Sequence, residues 1–335
     1  MKINEIQIER YEKSFISDIK LGNQYFKKRT GWYIKIYSNQ YCGVGEAAPI
    51  PLISIEDYNA TGYALEGFKL ALEGIDYDVQ LEELLLLSKI HGFNVPSAEF
   101  AIEAAIYDLF SQANNQSVAQ YLNGNALDFI NINSINHNQS IIATGDTKVL
   151  KVKVDEKNIF SIKDKIDEVL TLYSDDIKIR IDFNGSLDLT KAIRVCKALE
   201  AYNIDYIEQP LPKDSIEDFY ELRLTTLIPI ALDESVTDYK SVNNIINLGA
   251  ADVLIIKPTI TGSYDEIKKI VKLANKEGLR VVITSSFESS IAQKYILNII
   301  SALEISEYCG VFNIQLFDDE KFPSIIQSRC MINRI

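Results

Sequence analysis

The chain has 335 residues and a formal net charge of −13, with 47% hydrophobic and 24% charged residues. Its length suffices for one large barrel with a smaller second domain, and its acidic balance argues against nucleic acid or an anionic membrane as a partner. The chain contains no run of about 18 apolar residues, so no transmembrane helix is predicted. Its four scattered cysteines form no CxxC pair and favour free thiols and a cytoplasmic location.

The first 48 residues contain three segments in which apolar and polar residues alternate, as is typical of strands: INEIQIERY, GWYIKIYS and CGVGEAAP. We expect them to form an antiparallel sheet. The basic stretch KLGNQYFKKRT between the first two is interpreted as a solvated loop; alternatively, Lys27, Lys28 and Arg29 close over a dianionic substrate as a lid. Two helices are predicted next, within residues 55–74 and 96–115, the second beginning at Pro96.

From about residue 128 onward, short apolar strand segments alternate with amphipathic helices. Seven strand–helix units of this length predict an α/β fold with a parallel barrel, although the pattern alone leaves an open sheet as an alternative. We assign residues 128–309 to the barrel and residues 1–127 to an α+β capping domain. The tail, residues 310–335, is expected to return to the N-terminal sheet and to complete the capping domain.

Five charged residues end five successive predicted strands, at intervals of 24 to 29 residues: Lys153, Asp182, Glu208, Asp233 and Lys257. A parallel barrel brings the C-terminal ends of its strands to one face, so we expect these side chains to meet there. Three neighbouring carboxylates without histidine or thiolate favour a hard cation, Mg²⁺ first and Mn²⁺ as a substitute. A single such carboxylate could instead cap the following helix. Three in succession, each followed by another polar residue, favour a metal site.

Lysines on the second and sixth predicted strands flank these carboxylates. Lys151 and Lys153 point to the same face because side chains alternate along a strand, and their apolar neighbours point to the other face, toward the helices. A second cation and a divalent metal nearby lower the pKa of a buried lysine, which can then act as a base near pH 7. The metal would stabilise the anion that forms when a proton leaves the carbon next to a carboxylate. The residues therefore predict proton abstraction from a small carboxylate substrate.

The motifs around these residues resemble the enolase superfamily, in its muconate-lactonizing-enzyme-like subgroup: KVKV at 151–154, RIDFN at 180–184, IEQPLP at 207–212, ALDES at 231–235 and IIKP at 255–258. The resemblance implies a (β/α)7β barrel with a capping domain, Mg²⁺ on the three carboxylates, and catalytic lysines at 153 and 257. It also implies that Lys151 helps to keep Lys153 neutral, and that Asn184 and Glu234 orient the metal ligands and the lysines. The same residues serve racemases, epimerases, cycloisomerases and a dehydratase.

Two further segments resemble the o-succinylbenzoate synthases of menaquinone biosynthesis: GEAAPIPLIS at 45–54 and ITSSFESSIA at 283–292. This resemblance implies a carbon–oxygen lyase that acts on 2-succinyl-6-hydroxy-2,4-cyclohexadiene-1-carboxylate. Lys153 would remove the proton alpha to the ring carboxylate and return it to the departing hydroxyl, with Lys257 as a cation over the opposite ring face. Candidates for binding the succinyl carboxylate are Thr284, Ser285 and Ser286, which otherwise serve only the turn after strand seven.

Two other functions remain open on the sequence alone. A dipeptide epimerase or an N-acylamino acid racemase would use Lys153 and Lys257 as two bases on opposite faces of the substrate. Epimerases of the subgroup carry Asp-x-Asp near the last barrel strand, where this chain has Asn313 and Gln315. A non-catalytic barrel that only binds a carboxylate is disfavoured because all five positions hold competent residues. A monomer or a homo-oligomer is expected, with no nucleic acid or membrane partner.

Overall fold

The structure is a computed structural model, and it describes residues 1–21, 24–137, 140–141, 147–154, 161–173, 176–312, 315–320, 325–326 and 328–332. Asn313, one of the two residues compared with the epimerase motif, lies outside these ranges. Within them, no helix combines the length and the apolar character that crossing a bilayer requires.

An antiparallel sheet opens the chain, as the alternation predicts, with strands β1 (Glu5–Leu21), β2 (Gln24–Ser38) and β3 (Tyr41–Ala47) in that order. The interpretation of KLGNQYFKKRT as a loop is wrong for its described residues. It continues the β1–β2 ladder as far as the Leu21–Gln24 pair, with a register shift between Ser14 and Ile19. Cross-strand pairing outweighs the polar composition here: Lys28 Nζ, for example, lies 2.6 Å from Glu12 Oε1.

Four helices follow: α1 (Tyr58–Leu72), α2 (Leu81–His91), α3 (Pro96–Ala113) and α4 (Val118–Leu122). The α1 helix begins after Asp57, whose side chain accepts a hydrogen bond from the Ala60 N–H. The α3 helix has Pro96 in its first turn, as predicted. Gly45 lets α3 pack directly on β3, because a Cβ built on Gly45 would come within 1.9 Å of the Ala101 carbonyl oxygen.

The second part of the chain forms the barrel. Its strands are β4 (Phe129–Asn131), β5 (Ser134–His137), β6 (Ser140–Ile141), β7 (Val149–Lys153), β8 (Lys178–Asp182), β9 (Ile204–Glu208), β10 (Ile230–Leu232), β11 (Val253–Ile256) and β12 (Arg280–Ile283). The helices are α5 (Ile162–Leu172), α6 (Leu189–Leu199), α7 (Ile216–Thr225), α8 (Tyr239–Leu248), α9 (Pro258–Thr261), α10 (Tyr264–Lys276) and α11 (Ser290–Ala302). Strands β5, β7, β8, β9, β10, β11 and β12 pair in parallel in this order, and β6 pairs antiparallel with β5.

Residues 309 and 310 close this sheet into a barrel. The Gly310 N–H donates to the Ile283 carbonyl at 3.0 Å, at the β12 side. On the other side, the Cys309 N–H donates to the Asn131 carbonyl at 2.8 Å. The segment thus acts as the eighth strand, and the predicted (β/α)7β barrel is confirmed in preference to an open sheet.

The tail divides between the two parts of the molecule. The Ile16 N–H on β1 donates to the Leu316 carbonyl at 2.9 Å, and Lys13 Nζ lies 2.7 Å from Glu320 Oε1. Beyond this contact, strands β13 (Ile325–Ile326) and β14 (Arg329–Met331) form a small sheet in which β14 pairs with β4. The expected return to the N-terminal sheet therefore holds for residues 315–320, while the last described residues pair with the start of the barrel. We propose the boundaries at residues 127 and 309 on this basis.

The main apolar core lies between the barrel strands and their helices. Along β8, Ile179 and Ile181 belong to this layer, whereas Arg180 and Asp182 alternate with them and are buried inside the barrel. At the N-terminal end of the barrel, Arg180 Nε contacts Asp205 Oδ2 at 2.7 Å. The opposite end of the same strands carries the five charged residues.

Candidate active site

The three carboxylates lie together at the C-terminal end of three adjacent strands. Asp182 and Glu208 are the last residues of β8 and β9 and are paired in register, and Asp233 follows directly after β10. Their exposed fractions are only 1%, 0% and 4%, respectively. The structure therefore brings these three side chains to one place, as the strand-end pattern predicts.

Three lysines surround the carboxylates. Lys151 Nζ lies 2.6 Å from Glu208 Oε1 and 2.9 Å from Asp182 Oδ2, and Lys257 Nζ lies 2.6 Å from Asp233 Oδ2. Lys153 Nζ is farther away, 3.8 Å from Asp182 Oδ2. The side chain of Lys153 is 38% exposed, against 14% for Lys151 and 16% for Lys257. Lys153 thus combines access to the open face with a position beside the carboxylates.

The carboxylates control the electrostatics of Lys151 and Lys257. Burial lowers the pKa of Lys151, but the carboxylates of Asp182, Glu208 and Asp233 together raise it well above its ordinary value. Burial likewise opposes the charge on Lys257, and Asp233 with Glu234 still raises its pKa. The protein's own carboxylates therefore act more strongly on these two ammonium groups than burial does, which favours their charged forms.

The carboxylates themselves differ in their protonation behaviour. Burial alone would raise the pKa of Asp182, but the ammonium groups of Lys151 and Lys153 lower it to about 2. Burial raises the pKa of Glu208 to about 8, and the like charges of Asp182 and Asp233 add to this effect although Lys151 opposes it. Two neighbouring carboxylates therefore compete for one lysine, and a further cation would relieve their repulsion.

The donor set fits a hard divalent cation. Glu208 Oε2, Asp233 Oδ1 and Glu234 Oε2 are buried and find no hydrogen-bond partner among the described residues. In the same part of the chain, no group of three or more acidic, histidine or cysteine side chains is spaced as a closed metal site. Lysine ammonium groups contact the carboxylates instead. Uncompensated, buried oxygen donors are the chemistry that Mg²⁺ favours, so we propose that these carboxylates hold it once the lysines shift.

Asn184 and Glu234 lie next to the carboxylates, where the resemblance implies them. The Asn184 side-chain amide donates to Glu234 Oε1 at 3.0 Å, and its backbone N–H donates to Asp182 Oδ1 at 3.0 Å. Asn184 has a φ of 46°, in the left-handed region that asparagine tolerates better than most residues. This turn fixes one oxygen of Asp182, which supports an orienting role for Asn184.

The three hydroxyl residues after β12 have different surroundings. Ser285 Oγ donates to the Gly310 carbonyl at 3.2 Å, and Thr284 forms an isolated bridge with Gly310. Ser285 and Thr284 therefore contribute to barrel closure. Ser286 is 1% exposed, and its Oγ has no hydrogen-bond partner among the described residues. Binding of a substrate carboxylate by this group stays a prediction.

Residues of the two synthase-like segments contact each other. Glu46 accepts hydrogen bonds from the Ser289 N–H at 2.9 Å, from Ser289 Oγ at 2.5 Å and from the Ala292 N–H at 3.1 Å, at the beginning of α11. The capping domain and the last barrel helix are thereby joined through a buried carboxylate.

Arg29 makes a second connection of this kind, which the sequence did not reveal. It is 4% exposed and donates to the carbonyls of Ala48, Pro49, Ser286 and Phe287. The interpretation of Arg29 as a solvated residue is therefore wrong, and closure of this basic stretch over a dianionic substrate stays a prediction. No sequence signal distinguished Arg29 from its exposed neighbours Lys27 and Lys28, because its carbonyl partners are generic backbone groups.

Two family models match the chain. The model described as Enolase C-terminal domain-like matches residues 137–329, more than half of the chain. The model described as MenC, N-terminal domain, matches residues 3–109. The two matches fall on the barrel and on the N-terminal sheet with its first three helices.

Curated relatives carry several activities. The o-succinylbenzoate synthase of Pasteurella multocida is 28% identical over 346 residues, which cover 96% of this chain and 95% of the relative. The N-succinyl-L-Arg/Lys racemase of Bacillus cereus is 27% identical over 228 residues, which cover 62% of this chain and 60% of the relative. The chain also spans only 59% of the length of a second synthase relative, from Thermobifida fusca. These relatives are enzymes, and they differ in the reaction that they catalyse.

A solved structure gives the same fold. The dipeptide epimerase from Enterococcus faecalis, complexed with Mg and the dipeptide L-Leu-L-Tyr, matches with a TM-score of 0.85 at 18% identity, over 99% of this chain and 97% of the epimerase. At this identity the likeness concerns the fold, a modified TIM barrel with a capping domain. The family match over the barrel and the strand-end geometry lead to one conclusion: the chain belongs to the enolase superfamily.

Proposed function

We propose that the chain is a Mg²⁺-dependent o-succinylbenzoate synthase that dehydrates 2-succinyl-6-hydroxy-2,4-cyclohexadiene-1-carboxylate. The observation that carries the proposal is the likeness to the Pasteurella multocida synthase, which extends over 96% of this chain and 95% of that relative. The contact between Glu46 and Ser289 also supports it, because it joins the two segments that resemble the synthases.

Lys153 is the base in the proposed reaction. Its side chain is the most exposed of the three lysines and reaches the open face beside Asp182. Lys153 would accept the proton from the carbon alpha to the ring carboxylate and then donate it to the hydroxyl that leaves as water. The same lysine serves both steps, so the proton and the hydroxyl depart from one face of the ring.

Two other groups complete the proposed chemistry. When bound at Asp182, Glu208 and Asp233, Mg²⁺ supplies positive charge for the negative charge that develops on the substrate carboxylate. Lys257, held by Asp233 on the opposite side of the carboxylates from Lys153, would present a cation to the other ring face. Lys151 stays with Glu208 and Asp182 and adds positive charge near Lys153.

The test is turnover of the cyclohexadiene substrate with Mg²⁺, followed as loss of diene absorbance. We expect Lys153→Ala to lower kcat by about 10²- to 10⁴-fold, the usual contribution of a general base. Lys163→Ala, at an exposed position on α5, is the matched control and should turn over like the wild type. A folded, Mg²⁺-loaded wild type without turnover would contradict the proposal.

A second candidate is an isomerase, either a dipeptide epimerase or an N-acylamino acid racemase. The observation in its favour is that Lys153 on β7 and Lys257 after β11 flank the carboxylates from two sides, as a two-base exchange requires. Incubation with dipeptides and N-succinyl amino acids in deuterated water distinguishes the two reactions. Inversion at the alpha carbon with incorporation of deuterium, where the inversion is lost in both Lys153→Ala and Lys257→Ala, would support the isomerase.

A further inference from the structure

Gln209 occupies an unusual position between the candidate metal ligands. It directly follows Glu208, is fully buried and has a φ of 38°, in the left-handed region. Its backbone N–H donates to the Ala231 carbonyl at 2.8 Å, and its carbonyl accepts from the Gly185 N–H at 2.7 Å. The backbone of Gln209 therefore connects the ends of β8, β9 and β10.

The side chain of Gln209 extends this connection to Asp233. Strand β10 ends at Leu232, and the N–H of Asp233 donates to Gln209 Oε1 at 2.8 Å. The other end of the amide, Nε2, donates to the Leu211 carbonyl and to Ser235 Oγ, both at 3.0 Å. Only an amide offers an acceptor and two donors at one side-chain end, so glutamine satisfies all three partners.

We propose that Gln209 is a positioning residue that sets the separation of the Glu208 and Asp233 carboxylates and thereby the affinity for the divalent cation. The proposal rests on the metal site of the proposed function. Where the β9–β10 ladder stops, the Gln209 amide takes the place of a backbone partner for Asp233. Both carboxylates are thus attached to one rigid, buried unit, and the preorganisation of the ligands determines how tightly they hold an ion.

The test compares Gln209→Leu with Ser235→Ala. Both substitutions remove hydrogen bonds of the Gln209 amide, but only the first removes the acceptor for the Asp233 N–H. Mn²⁺ affinity, measured by electron paramagnetic resonance, should fall by about 10- to 100-fold in Gln209→Leu and by less than about threefold in Ser235→Ala. The midpoint temperature of thermal unfolding without metal should be lowered in both variants. A loss of Mn²⁺ affinity in Gln209→Leu alone is then an effect on ligand positioning and not on general stability. Equal Mn²⁺ affinity of Gln209→Leu and the wild type would overturn the proposal.

A third variant keeps the test informative if Gln209→Leu does not fold. Gln209→Glu retains an acceptor for the Asp233 N–H and loses the donors, so its Mn²⁺ affinity should stay within about threefold of the wild type or rise. A decrease of tenfold or more would overturn the assignment to the Asp233 contact. Failure of the proposed dehydration is recognised separately, as absent turnover by a wild type that still binds Mn²⁺. A wild type that binds no Mn²⁺ would overturn the metal site and the role of Gln209 together.

Discussion

At the level of single residues, Lys151 contacts two carboxylates of the candidate site at once. Its ammonium group is shared between Asp182 and Glu208, at 2.9 and 2.6 Å, and both carboxylates are almost fully buried. Each carboxylate therefore depends on a cation that it does not hold alone. Removing one partner of such a buried group leaves uncompensated charge, which costs more than the intact interaction contributes.

Lys151→Met should destabilise the metal-free protein by about 3 to 5 kcal/mol, because it leaves Asp182 and Glu208 buried without their shared cation. Urea unfolding monitored by circular dichroism measures the change in the free energy of unfolding. Lys272→Met, at an exposed position on α10, serves as the control and should lie within about 0.5 kcal/mol of the wild type. A Lys151 variant as stable as this control would show that the shared ion pair contributes nothing.

The residues that end the barrel strands could be predicted from the sequence, whereas their connections could not. Asp182, Glu208 and Asp233 are recognisable because each ends an apolar run, and parallel strands bring such ends to one face. Arg29, Glu46 and Gln209 act through contacts whose partners are backbone groups or residues far away along the chain. The sequence contains no spacing that marks such partners.

At the level of elements, the packing of α3 on the N-terminal sheet decides the shape of the capping domain. Gly43 and Gly45 on β3 face the α3 backbone, and a Cβ built on either would lie 1.9 Å from a carbonyl oxygen of the helix. Because the contact is with backbone atoms, a rotamer change cannot relieve it. The glycines therefore set the distance between the helix and the sheet.

Gly45→Ala should lower the stability of the protein by about 1 to 3 kcal/mol or more, because α3 must move away from β3 to admit the methyl group. Guanidinium unfolding, read as the midpoint at an unchanged slope, detects the change. The control is Gly124→Ala, at a glycine where a Cβ would meet nothing within 4 Å. If the two variants unfold at the same midpoint, the close approach is not a constraint on the fold.

Sequence patterns predicted some elements and missed others for identifiable reasons. Pro96 marked the start of α3 correctly. The prediction omitted α2, although its N-terminus carries a capping box between Gln80 and Glu83 and its residues LEELLLLSKIH favour a helix. The distal half of the β1–β2 hairpin was interpreted as a loop because it is basic and polar. Residues on the opposite strand compensate its charge, as Glu12 does for Lys28.

At the level of the whole molecule, acidic residues of α3 meet the first turn of α10 in the barrel. Glu103 is 5% exposed, and its Oε2 accepts a hydrogen bond from the Tyr264 N–H at 2.8 Å. Burial raises the pKa of Glu103 to about 8, and the nearby Glu99 carboxylate adds to the effect. The pKa of Glu99 is raised to about 7, also mainly by burial. Ionisation of these acids as the pH rises should therefore weaken this interface.

The stability of the protein should accordingly decrease between about pH 5 and pH 8. The unfolded chain ionises Glu103 near its ordinary pKa of 4.5, whereas the folded protein keeps it protonated until about pH 8. The folded state thus binds more protons in this window, and its stability falls as the pH rises. Glu103→Gln, which keeps an acceptor for Tyr264, should remove a pH-dependent loss on the order of 2 to 4 kcal/mol.

Urea unfolding at pH 5, 6, 7 and 8 provides the measurement. Glu82→Gln, at an exposed position on α2, should retain the pH dependence of the wild type. A Glu103→Gln variant whose stability declines with pH as steeply as that of the wild type would contradict a protonated Glu103 at the interface. The dependence of the free energy of unfolding on urea concentration should have the same slope at each pH. A changed slope would report a change in the unfolding transition itself.

The connections made by Arg29 and Glu46 also have a consequence for synthesis on the ribosome. Glu46 lies 243 residues before Ser289, and Arg29 lies 258 residues before Phe287. At about 5 to 20 residues per second, tens of seconds separate the appearance of each group from that of its partner. During this interval the nascent N-terminal sheet presents a carboxylate and a guanidinium that lack these partners. The contacts of Glu46 and Arg29 with the barrel can therefore form only after the start of α11 has left the ribosome. Most of the contacts within the sheet itself are available much earlier.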